Sequence, residues 1–269
     1  MVNKLGNFFK RFYLVLIFIF LYAPILTLVI FSFNESKTMG NWTGFSLKWY
    51  SALFNNDRIM AALFYTILIA VISSVIATII GTLASIGIHK MKGPKKALLL
   101  NINYIPVLNP DIVTGVSLMS LFIFLRIIID VEFGFMTMLI AHITFNIPYV
   151  ILAVLPKLRQ LPDNIEEAAL DLGATPLYTM FHIILPQIKP GIISGLLIAF
   201  TMSIDDFVIS FFTSGPGVTN LSIEIFSMAR RGIKPEINAL STLMFVSVLV
   251  LLLIANRKEF IRGDKIEKA

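Results

Sequence analysis

The stretch LPDNIEEAALDLGATPLYTMFHIILP, residues 161–186, lies between two long apolar runs and is itself amphipathic. Asp163 has the short acceptor side chain of a helix N-cap, and Glu166, three residues on, completes the capping-box spacing. Ile165, Ala168, Ala169 and Leu172 recur at i, i+3, i+4 and i+7, which gives a short helix one apolar face. Gly173 suits the left-handed position that ends such a helix. Thr175 and Pro176 then serve as the cap and first turn of another. The spacing predicts a helix, a glycine turn and a second helix, lying outside the hydrocarbon. The apolar face has no partner within the segment, which leaves it two destinations: the chain's own bundle, or a groove on a soluble protein.

On either side of this segment the composition is that of a membrane protein. Of the 269 residues, 57% are hydrophobic and 14% charged, with a mean hydropathy of +0.85, whereas soluble domains carry about a quarter charged residues. A helix needs about 20 apolar residues to cross about 30 Å of hydrocarbon. Six runs are read as such helices: Phe12–Phe33, Met60–Ile88, Ala97–Leu125, Phe133–Leu155, Pro186–Phe211 and Ala239–Ile254. The sequence thus predicts an all-α integral membrane fold, a single six-helix domain over residues 1–269. Asn109-Pro110-Asp111 interrupts the third run, which is therefore one broken helix or a re-entrant pair.

Six spans put both termini on one side. Fifteen of the 22 basic residues fall there, among them Lys4, Lys10, Lys90, Lys92, Lys157 and Arg257. Cytoplasmic loops retain Lys and Arg, so both termini are expected in the cytoplasm and the net charge of +6 is a topology signal; nucleic acid is not an expected partner. The first run follows basic residues as a signal peptide would, but at about 22 residues, with no small-x-small cleavage site, it reads as an uncleaved helix. The absence of cysteine excludes disulfides and thiol chemistry.

Small residues at spacing four mark close helix contacts in lipid. The second run carries Ser73, Ala77, Gly81 and Ser85, and the fifth carries Gly191, Gly195, Ala199 and Ser203; packing is the expected role of both stripes. The fifth run also holds two adjacent acids, Asp205 and Asp206. On a continuous 3.6-residue helix, Asp206 falls about 60° and Asp205 about −40° from Gly191, so both are expected to face protein or a polar cavity. A lipid-facing acid would cost about 2.5–3.5 kcal/mol, and intramembrane acids usually serve a pathway, a relay or an ion pair. The plainer alternative sets them at the outer mouth, solvated or paired with a loop cation. Asp111, just after Pro110, is the third candidate for a substrate pathway, since broken helices accompany transport sites; a cap for the following half-helix is the alternative.

No G-x-x-x-x-G-K-[ST] occurs, so the chain has no phosphate-binding loop. His89, His142 and His182 are scattered and no H-E-x-x-H exists, so neither a metal site nor an intramembrane enzyme is expected. His142 is expected to be a hydrogen-bonded structural residue.

Glu167-Ala168-Ala169, Gly173, Ile183 and Leu185-Pro186 stand at the spacing of the EAA motif. The chain therefore resembles the MetI-like permeases of binding-protein-dependent ABC importers, with a core over residues of about 60–256 and a cytoplasmic coupling loop at 156–186. NPDIVTGVSL (109–118), AHITFNIPYV (141–150), SIDDFVIS (203–210) and IKPEINALST (233–242) resemble the spermidine/putrescine subfamily, and the likeness covers essentially the whole chain. The resemblance implies that Glu166, Glu167, Ala168, Ala169 and Gly173 contact an ABC ATPase dimer. ATP and Mg would bind on that partner, with no cofactor on this chain. It further implies a second, distinct permease, an extracytoplasmic polyamine-binding protein, and a multi-pass place in the bacterial cytoplasmic membrane. Sparse carboxylates at Asp111, Asp205 and Asp206 suit a polyamine, because opposite charges attract more strongly in a low dielectric. Two alternatives remain at this point: an ABC permease for another small cation or a metal chelate, and an ion-coupled secondary transporter using the acids as a relay.

Overall fold

The computed structural model describes residues 2–37, 41–162, 164–231 and 235–266. Among them the backbone is helical apart from connections and one isolated bridge between Asn34 and Phe45. The helices in chain order are α1 (Val2–Ser32), α2 (Lys48–Phe54), α3 (Asp57–Lys90), α4 (Pro94–Leu108), α5 (Asp111–Ile129) and α6 (Phe135–Leu158). They continue with α7 (Ile165–Asp171), α8 (Pro176–Tyr178), a π-helical turn (Thr179–Ile184), α9 (Leu185–Asp205), α10 (Val208–Thr213), α11 (Leu221–Arg231) and α12 (Pro235–Ile266). By internal contacts the chain divides into residues 1–60 with 224–269, and residues 61–223.

Five stretches are long and apolar enough to cross a membrane: Lys10–Ser32, Asp57–Lys90, Asp111–Ile129, Phe135–Leu158 and Pro176–Asp205. The sixth expected span, residues 239–254, lies in α12, where the apolar stretch within the described side chains is the shorter Pro235–Val250. The third expected span, 97–125, resolves into two helices. Asn109 takes an extended conformation (ψ 144°) before Pro110, as the proline ring demands of its predecessor, and Pro110 itself has ψ 137°. Only α5 has the length of a span. The fifth expected span starts too late and ends too late: residues 176–205 form one continuous apolar helical stretch. Pro186 does not begin it, because Pro186 falls in the first turn of α9 immediately after the π turn, where wider backbone hydrogen bonding replaces the regular ladder.

In residues 61–223 the core is built by α6 packed along α9, with α3 joining them. Val150 of α6 explains the two stripes. A Cβ added at Gly81 on α3 would come within 2.7 Å of Val150, and one at Gly195 on α9 within 3.2 Å, so one valine is seated between two bare backbones. Ser73, Ala77, Ser85, Gly191, Gly195, Ala199 and Ser203 are all buried, as packing stripes require. A second cluster joins Phe122 of α5, Ala141 and Phe145 of α6, and Ile209 of α10. In residues 1–60 with 224–269, α12 packs against α1 and α2. There Trp49 donates to the Asn34 carbonyl (2.8 Å), and Arg58 pairs with the buried Glu224 at 2.9 Å.

Candidate functional site

The two acids of the fifth span do not share a helix. α9 stops at Asp205, Asp206 is extended (φ −62°, ψ 123°), and α10 starts again at Val208. Asp206 turns inward and caps the second half-helix. Its Oδ1 accepts from the Ile209 amide (3.2 Å), and Oδ2 accepts from the Ser210 amide and the Ser210 hydroxyl (both 2.7 Å). Its side chain is 8% exposed. The expectation of a continuous helix to residue 211 fails here because a carboxylate supplies the orphan amides of a new helix start. Asp205, one residue earlier, is exposed, and its carbonyl accepts from Ser222 at 3.3 Å.

A buried polar network runs inward from this break. His142 of α6, 1% exposed, has Nε2 2.9 Å from Ser210 Oγ and Nδ1 3.1 Å from Ser203 Oγ. Ser203 Oγ also accepts from Asn146 Nδ2 (2.8 Å) and lies 3.0 Å from Ser73 Oγ on α3. Asn220 Nδ2 donates to Ser210 Oγ (2.7 Å) and to the Asp206 carbonyl (2.8 Å), while its Oδ1 accepts from Ile223 and caps α11. The hydrogen count assigns the histidine tautomer. The single proton of Ser210 Oγ goes to Asp206 Oδ2, so Nε2 must be the donor in the His142–Ser210 bond. His142 is thus the hydrogen-bonded structural residue that was expected. Ser210, Asn146 and Asn220 were not singled out from sequence. A signal existed for two of them: His142/Asn146 and Asp206/Ser210 are polar pairs at spacing four within apolar runs, so each pair lies on one helix face.

Asp111 is the first residue of α5 and is exposed; the residue before it offers no side-chain cap. A carboxylate in the first turn still stabilises the helix through the macrodipole. α5 packs directly on α10, where a Cβ at Gly115 would come within 2.8 Å of Phe212. This contact brings the start of α5 to the break after Asp205. Asp111 and Asp205 thus stand at two neighbouring helix ends, and neither takes part in any of the described ion pairs. Asp206 belongs to the same region but has its carboxylate committed to α10.

The amphipathic segment has the expected plan. Gly173 is left-handed (φ +85°), its amide bonds to the Leu170 carbonyl (2.9 Å), and that of Ala174 bonds to Ala169 (3.0 Å), closing α7 with the paired bonds of a Schellman turn. Thr175 Oγ1 accepts from the Tyr178 amide (3.3 Å), as its capping position predicted. Asn164 occupies the position before α7 without a side-chain bond, and the capping expected of Asp163 lies outside the described residues. The single apolar face is split: Ala169 is buried, Ile165 partly so, Ala168 is exposed, and Leu172 is 90% exposed. Leu177, Tyr178 and Phe181 are exposed beside it, and Tyr178 stacks on His182 at 4.2 Å. A concavity of about 450 Å³ lies among Ala169, Leu172, Gly173, Thr175, Tyr178 and Ile183. Glu166 binds Lys90 at the end of α3 (2.6 Å), and Glu167 is exposed.

An apolar helical bundle with interrupted helices, acids at the interruptions and an exposed helix–turn–helix leading into one of its spans fits a membrane permease. Residues 77–257 match the family described as binding-protein-dependent transport system inner membrane component, and the chain belongs to that family. It is 45% identical to the putrescine transport system permease protein PotI of Escherichia coli (strain K12) over 87% of this chain and 85% of that protein. It is 36% identical to the spermidine/putrescine transport system permease protein PotC of the same strain, over 93% of both chains. Among solved structures, the fold superposes on a bacterial ABC transporter involved in the import of the acidic polysaccharide alginate, with a TM-score of 0.75 at 11% identity, covering 96% of this chain and 97% of that one. It also superposes on the MetNI methionine ABC transporter, with a TM-score of 0.60 at 17% identity, covering 77% of this chain and 98% of that one.

Proposed function

We infer that this chain is one of two permease subunits of an ATP-driven importer that carries polyamines, putrescine or spermidine, across the bacterial cytoplasmic membrane. The observation that supports it best is the pair Asp111 and Asp205: two carboxylates, each at a helix interruption where α5 packs on α10, without a described basic partner, in a chain 36–45% identical to polyamine permeases. The fold by itself does not choose the cargo, since a structure of the same fold belongs to a system for an acidic polysaccharide. The acids do. At 4 Å and an effective dielectric of about 20, one ammonium–carboxylate pair is worth about 4 kcal/mol, enough to offset a large part of the desolvation of a compact cation.

In this reading both termini face the cytoplasm, and the exposed surface at Glu167, Leu172 and Tyr178 docks on a PotA-like ATPase dimer. A PotB-like permease completes the pathway. A PotD-like binding protein delivers cargo from outside. ATP and Mg bind the ATPase, and this chain holds no cofactor. Closure of the ATPase pulls on α7, opens the pathway outward and presents Asp111 and Asp205 to the cargo; hydrolysis reopens the inner side. The test is uptake of labelled putrescine and spermidine in cells carrying the wild-type chain or Asp205→Asn, with a neutral amino acid as control. Loss of polyamine uptake alone supports the reading. Unchanged polyamine uptake in cells lacking the chain and other polyamine carriers removes the cargo assignment. Uptake that survives ATP depletion but stops when the ion gradient collapses removes the ABC mechanism.

A further inference from the structure

His142 is buried deeper than any group the proposed transport step uses, yet both ring nitrogens are engaged, one on each side of the helix break. Nδ1 meets Ser203, in the last turn of α9; Nε2 meets Ser210, in the first turns of α10. Ser210 in turn donates to Asp206 and accepts from Asn220, whose amide also holds the Asp206 carbonyl. The far end of α10 is tied to the same helix α6, where Thr137 Oγ1 donates to the Thr213 carbonyl at 2.8 Å. In the chain itself the two half-helices are joined by Asp206 and Phe207, which lie outside both.

We propose that His142 is a positioning residue for transport: bonded through Nδ1 to α9 and donating through Nε2 to α10, it fixes the angle of the break so that Asp206 stays folded inward and Asp205 is the acid left exposed at the end of α9. The ring provides two bonding points about 2 Å apart at a fixed angle, which one short polar side chain cannot. Ser210 has spent its proton on Asp206, so the position must be filled by a donor. Glutamine carries an N–H that reaches the place of Nε2, and methionine fills similar volume without one. The uptake arm of the test rests on the polyamine reading above; the structural arm does not depend on cargo.

The chain contains no cysteine, so single cysteines report accessibility directly. Ile209→Cys places a thiol on α10, in the second cluster; Met138→Cys places one on α6, fully buried, as a control for the fold. Each is made in the full complex in membranes, with His142 intact, as His142→Met or as His142→Gln, and treated with a membrane-impermeant maleimide. The expected result is that His142→Met makes the thiol at 209 reactive, leaves that at 138 protected and lowers initial polyamine uptake about tenfold, while His142→Gln restores protection and uptake. Protection at 209 in His142→Met would overturn the proposal, as would exposure of both thiols, which marks general loosening, or failure of Gln to restore what Met removes. Loss of uptake in Asp205→Asn with normal uptake in His142→Met would leave the transport reading standing and sink this one.

Discussion

Asp206→Asn separates a cargo-binding acid from a structural cap. The carboxylate accepts three hydrogen bonds, one at Oδ1 and two at Oδ2. Asparagine keeps one acceptor oxygen. Set at the Oδ2 position, that oxygen retains both bonds from Ser210, but the amide group then opposes the Ile209 N–H, and the remaining bonds lose their charge assistance, which accounts for about half their strength. A lost N-cap acceptor costs about 0.5–2 kcal/mol and a buried donor left without a partner about 1–3 kcal/mol. These overlap, so about 2 kcal/mol in total is expected for Asn, and more for Asp206→Ala, which removes all three bonds. At about 2–4 °C per kcal/mol for a chain of this size, the solubilised complex should melt about 4–8 °C lower. Asp205→Asn, at an exposed site whose described bond is made by the backbone carbonyl, should leave the melting temperature unchanged and abolish most uptake. The assay is a thermal-shift series on the purified complex, paired with initial uptake rates at matched expression. If Asp206→Asn leaves the melting temperature untouched and depresses uptake as strongly as Asp205→Asn, Asp206 is a cargo ligand and the capping argument is wrong.

Other expectations concern packing and the amphipathic segment. Gly81→Ala puts a methyl 2.7 Å from Val150 and should destabilise the complex by about 1–3 kcal/mol, whereas Gly195→Ala, at 3.2 Å, should cost visibly less; melting temperatures rank the two. Gly173→Ala forces a side chain into a left-handed position and should cost about 1–2 kcal/mol locally, read as faster hydrogen exchange in residues 165–174. Glu167→Lys and Leu172→Asp change exposed positions, so the permease should accumulate normally while copurification of the ATPase falls; normal copurification and transport in both variants would remove the docking assignment.

The sequence carried the class of fold and the plan of the amphipathic segment almost completely, because both rest on local rules. Gly173 is left-handed and Thr175 caps because a helix end has only a few ways to satisfy its orphan groups. The small-residue stripes were legible for a similar reason: spacing four is a property of the helix itself. Legibility stopped where tertiary contacts override the helical period. The interruption after Asp205 contains no proline or glycine, and TMSIDDFVIS reads as continuous helix until His142 and Asn220 are known to converge on Ser210, which donates to Asp206. Pro186 misled in the opposite direction: a proline marks a boundary in sequence, yet the π turn absorbs it. The span of residues 97–125 lay between, since Pro110 announced the break but not which half would cross.

The paired acids at 205 and 206 find their explanation in that interruption. On one helix, adjacent carboxylates would stand about 100° apart and both would have to be accommodated in the same low-dielectric environment. A break between them assigns opposite tasks. Asp206, at the start of α10, meets unbonded N–H groups, which favour negative charge. Asp205 stands at the carbonyl end of α9, whose partial negative charge opposes a carboxylate and attracts a cation. The second acid of the proposed site, Asp111, sits at a helix start, where its charge is stabilised before any cargo arrives. The site therefore combines one acid at ease and one made less stable by its helix end. A cation bridging them would gain most from the second. The mechanism consequently predicts that Asp205→Asn reduces uptake more than Asp111→Asn. Equal losses, or a larger one at Asp111, would show that the helix end contributes nothing to cation binding.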